Sequence, residues 1–498
     1  MSASGVPSRL RSRGVAAVAA FLLLVLAACS GNVDLDTEEP DPVSSSTSEE
    51  PEDEPRPVSE AHDPAAAHTL LAATDPAEVA VGVSRTYLTG AQVAILAPQG
   101  DRDAVLRAAS IGAATGAPVL LSEAPPGALD TELLRLGVVG VVTVGGVDIS
   151  EVDTTSLIVA PAPQDVDELG AIFGLSLTAV EIPPLEEGSD DIGTLLALEP
   201  GQVFAPANPA DQSSPSSEAI TSGEATTQDE EPQPVGELPA LAPAVPVTSS
   251  AVLADGDPGQ LAGLGTALGL GAQVIRVSGD VRGDETAIAT LAEQQPATVV
   301  GLGAGMGTEA EFGWRAATAQ TGAQLPGGGQ LVFDSKRYIA LYGSPVTAAL
   351  GLLGEQAVPE TIARAAQFAR LYSPFTQDSV VPALEIIVTV ASNSAGDDGN
   401  YSNEWSSDTF LPLIEAAAEA GQYVVIDFQP GRSTFLEQVR QYEDLLAHPH
   451  VGIALDPEWR LQPDQQHLQQ IGSVTAAEVN EVITYLADFV QGATCRRS

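Results

Sequence analysis

Positive charge is what this chain has least of. Its 498 residues include 20 lysines and arginines against 67 aspartates and glutamates, for a formal net charge of −47, and Lys336 is the only lysine. Such a balance repels phosphate backbones and excludes nucleic acid as a partner. It also argues against electrostatic adsorption to anionic lipid. Cysteine is almost as scarce, with Cys29 and Cys495 alone. If Cys29 is modified, neither an internal disulfide nor a cysteine-based metal site is possible. Of the five histidines, only His448-Pro449-His450 forms a close pair, and without a third ligand it predicts no metal. The glycine run Gly301-Leu302-Gly303-Ala304-Gly305-Met306-Gly307 lacks the helix and distant acid of a dinucleotide fingerprint, and no Walker lysine is nearby. It reads as tight turns, and no cofactor is expected. Long hydrophobic runs are missing too. The apolar stretch from Val15 is about 14 residues, short of the roughly 20 that span a bilayer.

That short stretch is preceded by Arg9, Arg11 and Arg13 and ends in small residues, the layout of a secretory signal. Leu26-Ala27-Ala28-Cys29 resembles the bacterial lipobox, in which the cysteine is acylated and becomes the mature N-terminus. The resemblance implies a membrane partner reached through a lipidated Cys29 and an extracytoplasmic location on the outer face of the cell membrane. Several acyl chains on one cysteine hold a protein durably, whereas one does not. Scarce lysine with abundant alanine points to a GC-rich, actinobacterial genome.

Residues 30–68 are rich in Asp, Glu, Ser, Thr and Pro, as in Ser48-Glu49-Glu50-Pro51-Glu52-Asp53-Glu54-Pro55. Dense like charge with little apolar surface predicts a disordered acidic stalk beyond a signal at 1–29. A second such segment, 208–247, reads as a flexible insertion. Between and after these lie a first α/β region at 69–207, a second at 248–330, and a β/α domain at 331–498.

The two α/β regions are internally repeated. The first has a strand at Val93-Ala94-Ile95-Leu96-Ala97, then Gln99-Gly100-Asp101, a small-residue helix at 103–115, Gly116-Ala117-Pro118-Val119-Leu120-Leu121, a helix at 129–136 and Val141-Val142-Thr143-Val144-Gly145-Gly146. The second follows with Ala251-Val252-Leu253-Ala254-Asp255-Gly256-Asp257, a helix at 258–269, Gly271-Ala272-Gln273-Val274-Ile275 and Thr298-Val299-Val300-Gly301-Leu302-Gly303. Short Val- and Ile-rich runs alternating with helices predict small parallel-sheet β/α units. This succession resembles the type 2 cell-wall-binding repeats of Gram-positive surface proteins, well over 85–150 and faintly over 249–305. Gln273 stands where the pattern has proline, and Gly301-Leu302-Gly303 replaces Val-Gly-Gly. The resemblance implies attachment to wall polysaccharide or peptidoglycan. An anionic polymer would need basic residues such as Arg102 and Arg107 to cluster, or a bridging divalent cation.

From 331 onward four strand-helix pairs follow, with strands at 338–342, 383–388, 423–428 and 451–456 and helices at 358–371, 408–420, 433–447 and 475–490. This is the pattern of a β/α barrel or doubly wound sheet. The four units resemble the opening half of a glycoside-hydrolase-like barrel, as in some actinobacterial envelope lipoproteins, although four units cannot close a barrel of eight. Acids sit on or just beyond three of these strands: Glu385, Asp427, and the pair Asp456 and Glu458. Paired carboxylates at strand ends serve glycosidases as acid and base. Asp456 and Glu458, two residues apart, would face one side of an extended stretch. Trp459 would stack on a sugar, and Arg432 and Arg460 would bind a carboxylate or polarise an acetal oxygen. The same acids equally serve as helix caps and turn openers. Asn400-Tyr401-Ser402-Asn403-Glu404-Trp405 is a loop, either binding lip or filler.

The sequence therefore predicts an α/β, lipid-anchored envelope protein that binds wall polymer without demonstrable catalysis. Two alternatives stand beside it: an envelope glycan hydrolase using the strand-end carboxylates, and an extracellular solute-binding lipoprotein.

Overall fold

The computed structural model describes residues 55–150, 152–205 and 238–495. Cys29, the signal segment, most of the acidic stretch and residues 206–237 lie outside them. The sequence carries the acidic stalk to residue 68, but strands already occur before that point, at β1 (Arg56–Pro57) and β2 (Ser59–Ala61), followed by β3 (His68–Leu71). The dense acid run ends at Glu54, and Val58 and Ser59 beyond it are buried, so this part has apolar surface to offset ordering.

Helix α1 (Pro76–Tyr87) starts where the Asp75 carboxylate accepts from the N–H groups of Ala77 and Glu78, with Pro76 in its first turn. Strand β4 (Leu88–Ala91) returns antiparallel to β2. Then come β5 (Val93–Ala97), α2 (Arg102–Thr115), β6 (Val119–Leu121), α3 (Ala128–Leu136), β7 (Gly140–Thr143) and β8 (Ile158–Pro161). Their four strands form a parallel sheet ordered β6-β5-β7-β8. All five residues of β5 are buried, as expected of a strand covered on both faces. Next are α4 (Val166–Phe173), β9 (Thr178–Glu181), α5 (Asp191–Leu196) and β10 (Gln202–Ala205), with β9 and β10 paired in parallel.

The second module repeats the plan. After β11 (Leu241–Ala242), which pairs with β1, come β12 (Ser250–Ala254), α6 (Leu261–Gly269), β13 (Gln273–Arg276), α7 (Glu285–Gln294), β14 (Thr298–Leu302) and α8 (Glu309–Gln320). Its sheet is ordered β13-β12-β14-β3. The fourth place, filled by β8 in the first module, is taken here by β3 from far upstream. Residues 248–330 thus complete their sheet only with a strand that starts at His68.

The two modules pack through α2 and α6, where glycine removes the side chains that would hold the helices apart. A Cβ at Gly265 would lie 2.5 Å from the Ala109 carbonyl oxygen and 2.6 Å from its Cα, and one at Gly269 would run into the Gly112 carbonyl. The contact is also hydrogen-bonded: Val119 N–H donates to Thr266 Oγ1 at 2.9 Å, and the Tyr87 and Ser250 hydroxyls meet at 2.8 Å.

The C-terminal domain contains β15 (Lys336–Gly343), α9 (Val358–Arg370), β16 (Ser379–Ala391), β17 (Ser402–Glu404), α10 (Leu411–Glu419), β18 (Tyr423–Phe428), α11 (Phe435–Gln441), α12 (Glu443–Leu446), β19 (Val451–Leu455) and α13 (Ala476–Cys495). Strands β15-β16-β18-β19 are parallel and lie in chain order, the order of successive barrel strands, while β17 runs antiparallel on β16. Alternate residues divide the two faces. Leu384, Ile386, Val388, Val424, Ile426 and Phe428 pack with residues of α9 to α13 in the domain's core. On the other face Val381, Ala383 and Tyr423 meet Leu325, Val332 and Tyr338. That second cluster holds no helical residue. The whole is α/β, as the strand and helix alternation predicts.

Candidate functional site

The signature residues of the two modules turn out to build turns. In the first, the Asp101 carboxylate accepts from the Ala104 N–H at 3.1 Å and caps α2. Gly145 packs beside it, where a Cβ would sit 2.8 Å from Ala104 Cβ and 3.6 Å from the Asp101 carboxylate. In the second, Asp255 accepts from the Asp257 N–H at 3.2 Å and from Gln260 Nε2 at 2.7 Å, and a Cβ on Gly303 would collide with its carboxylate. In each sheet an aspartate beyond the first strand meets a glycine beyond the third, but Asp101 also caps the following helix, whereas Asp255 leaves that cap to Asp257. The aspartate-glycine contact is the physical content of the repeat.

At the C-terminal ends of β6 and β7 a cleft of about 330 Å³ is lined by Ser122, Glu123, Pro125, Asp130, Asp148 and Ser150 among others. Crevices beyond the carboxyl ends of parallel strands are where α/β sheets bind ligands. This one carries acids and no basic residue. Arg102 is held by Asp191 at 2.6 Å and Asp103 at 2.8 Å. Arg107 is buried, donates to the Pro163 carbonyl and has its pKa lowered by burial. Neither arginine offers a free cationic patch.

In the C-terminal domain, strand register places Glu385 of β16, Asp427 of β18 and Asp456 just past β19 on the face opposite the one that packs on α9 to α13. Tyr342 of β15, paired with Glu385, joins them. Asp427 is 0% exposed and neither carboxyl oxygen has a hydrogen-bond partner of normal geometry. Burial, then the charges of Asp456 and Glu385, push its pKa up to about 8. Asp456, facing the Asp427 carboxyl, is raised by burial and by Glu458. Glu385 is raised by burial and by Asp456. The Tyr342 phenol, 42% exposed, is pushed up to about 12 by burial and by the carboxyls around it.

Two buried glutamines, Gln429 just after β18 and Gln438 on α11, join Asp456, Thr389 and residues 402–404 in one hydrogen-bond network. Gln429 donates to Asp456 Oδ2 at 3.3 Å, accepts from the Ala391 N–H at 2.9 Å, and its own N–H donates to Thr389 Oγ1 at 2.8 Å. Gln438 accepts from Thr389 Oγ1 at 2.8 Å and donates to Ser402 Oγ at 3.0 Å and Glu404 Oε1 at 2.8 Å. Residues 402–404 are therefore strand β17, tied into this network, and Trp405 packs on the core. Glutamine just past a hydrophobic strand, as at Gln429, was the available signal.

The remaining site residues lie elsewhere in the arrangement. Glu458 does not share an extended stretch with Asp456, because Pro457–Trp459 forms a 3₁₀ turn that leaves Glu458 exposed. Asp456-Pro457 opens that turn. Arg432 donates to the Gln465 carbonyl at 3.0 and 2.8 Å and stacks 4.5 Å above Tyr401. Arg460 donates to Glu478 at 2.8 Å and to the Arg432 carbonyl at 3.2 Å. Trp459 sets its ring edge-on to His467 at 5.3 Å. These contacts join the loops after β18 and β19 to α13. No group of three or more potential ligands among the described residues is placed to hold a metal. No described helix is long and apolar enough to cross a membrane.

No family model matches the chain, and no curated protein matches it either. Among solved structures it is similar to Cwp8 from Clostridium difficile, at 14% identity and TM-score 0.33, over 52% of each chain. It is also similar to Cwp6 from Clostridium difficile, at 14% identity and TM-score 0.34, over 66% of this chain and 64% of that one. The chain thus spans between half and two thirds of the length of these structures. At such low overlap the likeness carries no weight for fold or function.

Proposed function

We propose that this is a cell-envelope surface protein that binds wall polymer through its paired α/β modules and is held to the membrane by a lipid on Cys29. The observation behind it is the duplication itself: two sheets of equivalent strand order, each built on one aspartate-glycine contact and packed through α2 and α6. These contacts fall on the residues that resemble wall-binding repeats. Tying up Arg102 and Arg107 favours an uncharged wall glycan over an anionic polymer. Co-sedimentation of the full chain with purified sacculi tests the reading; retention no greater than that of a charge-matched control protein would sink it. Detergent phase partitioning of wild type and Cys29→Ser tests the anchor, which requires the variant to leave the detergent phase.

A second reading, glycan hydrolysis, is favoured by the carboxyls at the C-terminal sheet ends. Asp427 is fully buried, out of reach of a glycosidic bond or its attacking water. Glu385 and Asp456 remain as acid and base. Release of reducing ends from sacculi, abolished in Glu385→Gln and Asp456→Asn, is the expected result; no release by wild type rejects the reading.

A further inference from the structure

Lys336, the only lysine of the chain, lines a cavity of about 310 Å³ where the second module meets the C-terminal sheet. Glu285 of α7, Ser379 at the start of β16, and Asp334 and the glycines 327–329 of the connection before β15 line it too. Glycine shapes this recess. Gly328 takes φ +91°, and a Cβ on it would run into the Glu285 carboxylate. A Cβ on Gly283 would likewise run into the Asp334 carboxylate. Without side chains at these two places the backbone closes on both acids. The connection is pinned to the module. Gln330 donates its N–H to the Arg282 carbonyl at 2.6 Å, and its amide to the carbonyls of Thr318 and Ala323 at 2.9 and 2.8 Å.

Three charged groups gather here without pairing. The Lys336 ammonium has three donors and uses one, on the Leu331 carbonyl at 2.8 Å. Burial lowers its pKa while the charges of Asp334 and Glu285 oppose that, yet among the described residues it forms an ion pair with neither. Arg282 holds its guanidinium on Asp280 at 3.0 and 2.6 Å and over Trp314 at 4.5 Å, so Lys336 is the cation that faces the recess.

We propose that this recess binds a small diamino acid, one carboxylate with two ammonium groups, such as lysine or ornithine. Lys336 would take the carboxylate on its two remaining donors, and Glu285 and Asp334 would each accept from an ammonium. The ligand's net charge of +1 then meets a local −1. A diamine leaves Lys336 unanswered, a dicarboxylic acid sets like charges together, and a neutral amino acid satisfies one acid of the two. The volume is at the small end of the range of about 300–1,000 Å³ for ligand cavities, room for an amino acid and not for a chain of sugar rings. The recess lies at the N-terminal ends of β15 and β16, opposite the end at which Asp456 follows β19, and it owes nothing to the wall-polymer reading.

Calorimetry on the full chain tests it, with L-lysine and L-ornithine as ligands and L-alanine, L-glutamate and cadaverine as controls. Lysine or ornithine is expected to bind at pH 7, and each control about tenfold more weakly or worse, because each leaves a charged group without its partner. Lys336→Met should weaken lysine about tenfold and abolish its advantage over cadaverine. Glu285→Gln and Asp334→Asn should each remove much of its advantage over alanine. A merely structural role would not exchange these preferences. Should Lys336→Met fail to fold by circular dichroism, the wild-type ligand series and Glu285→Gln decide the matter. No binding of lysine or ornithine, alanine or cadaverine binding as tightly, or preferences unchanged in the folded variants overturns the proposal. Sacculus retention without lysine or ornithine binding removes this proposal alone; binding without retention removes the wall-polymer reading alone.

Discussion

Two buried acids, one in the paired modules and one in the C-terminal sheet, are treated in opposite ways. Glu132 of α3 is 0% exposed and accepts from Ser84 Oγ at 2.6 Å, Arg85 Nε at 3.0 Å and Arg135 Nη2 at 2.6 Å. Burial alone would raise its pKa, but these hydrogen bonds, with Arg135 foremost, outweigh it and hold the carboxyl below its usual range. Asp427 is buried as fully, meets only other acids and is raised. A buried charge with partners is scaffolding, and one without them is a cost carried for some other reason. In the modules β5 and β12 are buried along their whole length, and the Asp191 carboxylate is likewise paired, with Arg102. The C-terminal sheet packs helices on one face and gathers its ionisable groups on the other.

The comparison breaks most severely at the module crossing. Gly265→Leu drives a side chain into the Ala109 backbone and should cost about 3 kcal/mol or more, or prevent folding, as read by urea denaturation. Glu132→Ala removes the acceptor shared by Ser84, Arg85 and Arg135, whose guanidiniums keep access to water, and should cost about 2 kcal/mol. Because the folded pKa of Glu132 is depressed, its contribution is present above the unfolded value and is lost as pH falls through the folded one, so acid melts of wild type should show a loss absent from the variant. Asp427→Asn should do the opposite. Its folded pKa is raised to about 8, so wild-type stability falls as pH climbs from the unfolded value toward 8. In thermal melts the variant should gain stability over wild type at pH 8 and little at pH 4. The smallest effect is at the repeated turn: Asp101→Ala removes the cap of α2 and should cost about 1 kcal/mol.

Much of this was legible in the residues. The strands around Val93 and Ala251 and the four C-terminal strands fall where Val- and Ile-rich runs predict them, because a covered parallel strand needs an unbroken apolar run. Asp427 falls near the end of its strand as the sequence predicts, whereas Glu385 lies mid-strand because β16 runs on to Ala391, and alternation puts both on one face. Other features were not legible. The use of His68–Leu71 as the fourth strand of the second sheet is a long-range pairing that no local pattern encodes. Glu458 leaves the Asp456 side because Pro457 ends the extended chain in a 3₁₀ turn. Arg432 and Arg460 looked like ligand groups because sequence shows a charge but not its partners, here Gln465, Tyr401 and Glu478. Gln429 and Gln438 escaped notice because a neutral amide gains its meaning only from what surrounds it.

The most direct test is a carboxyl-carbon NMR titration of the full chain labelled at aspartate side chains, with Asp427→Asn and Asp456→Asn to assign the signals. One aspartate of the facing pair should keep its proton to near pH 8, and that late step should vanish in Asp427→Asn. If every aspartate ionises below pH 5, Asp427 is an ordinary carboxylate and the contrast drawn with Glu132 is wrong.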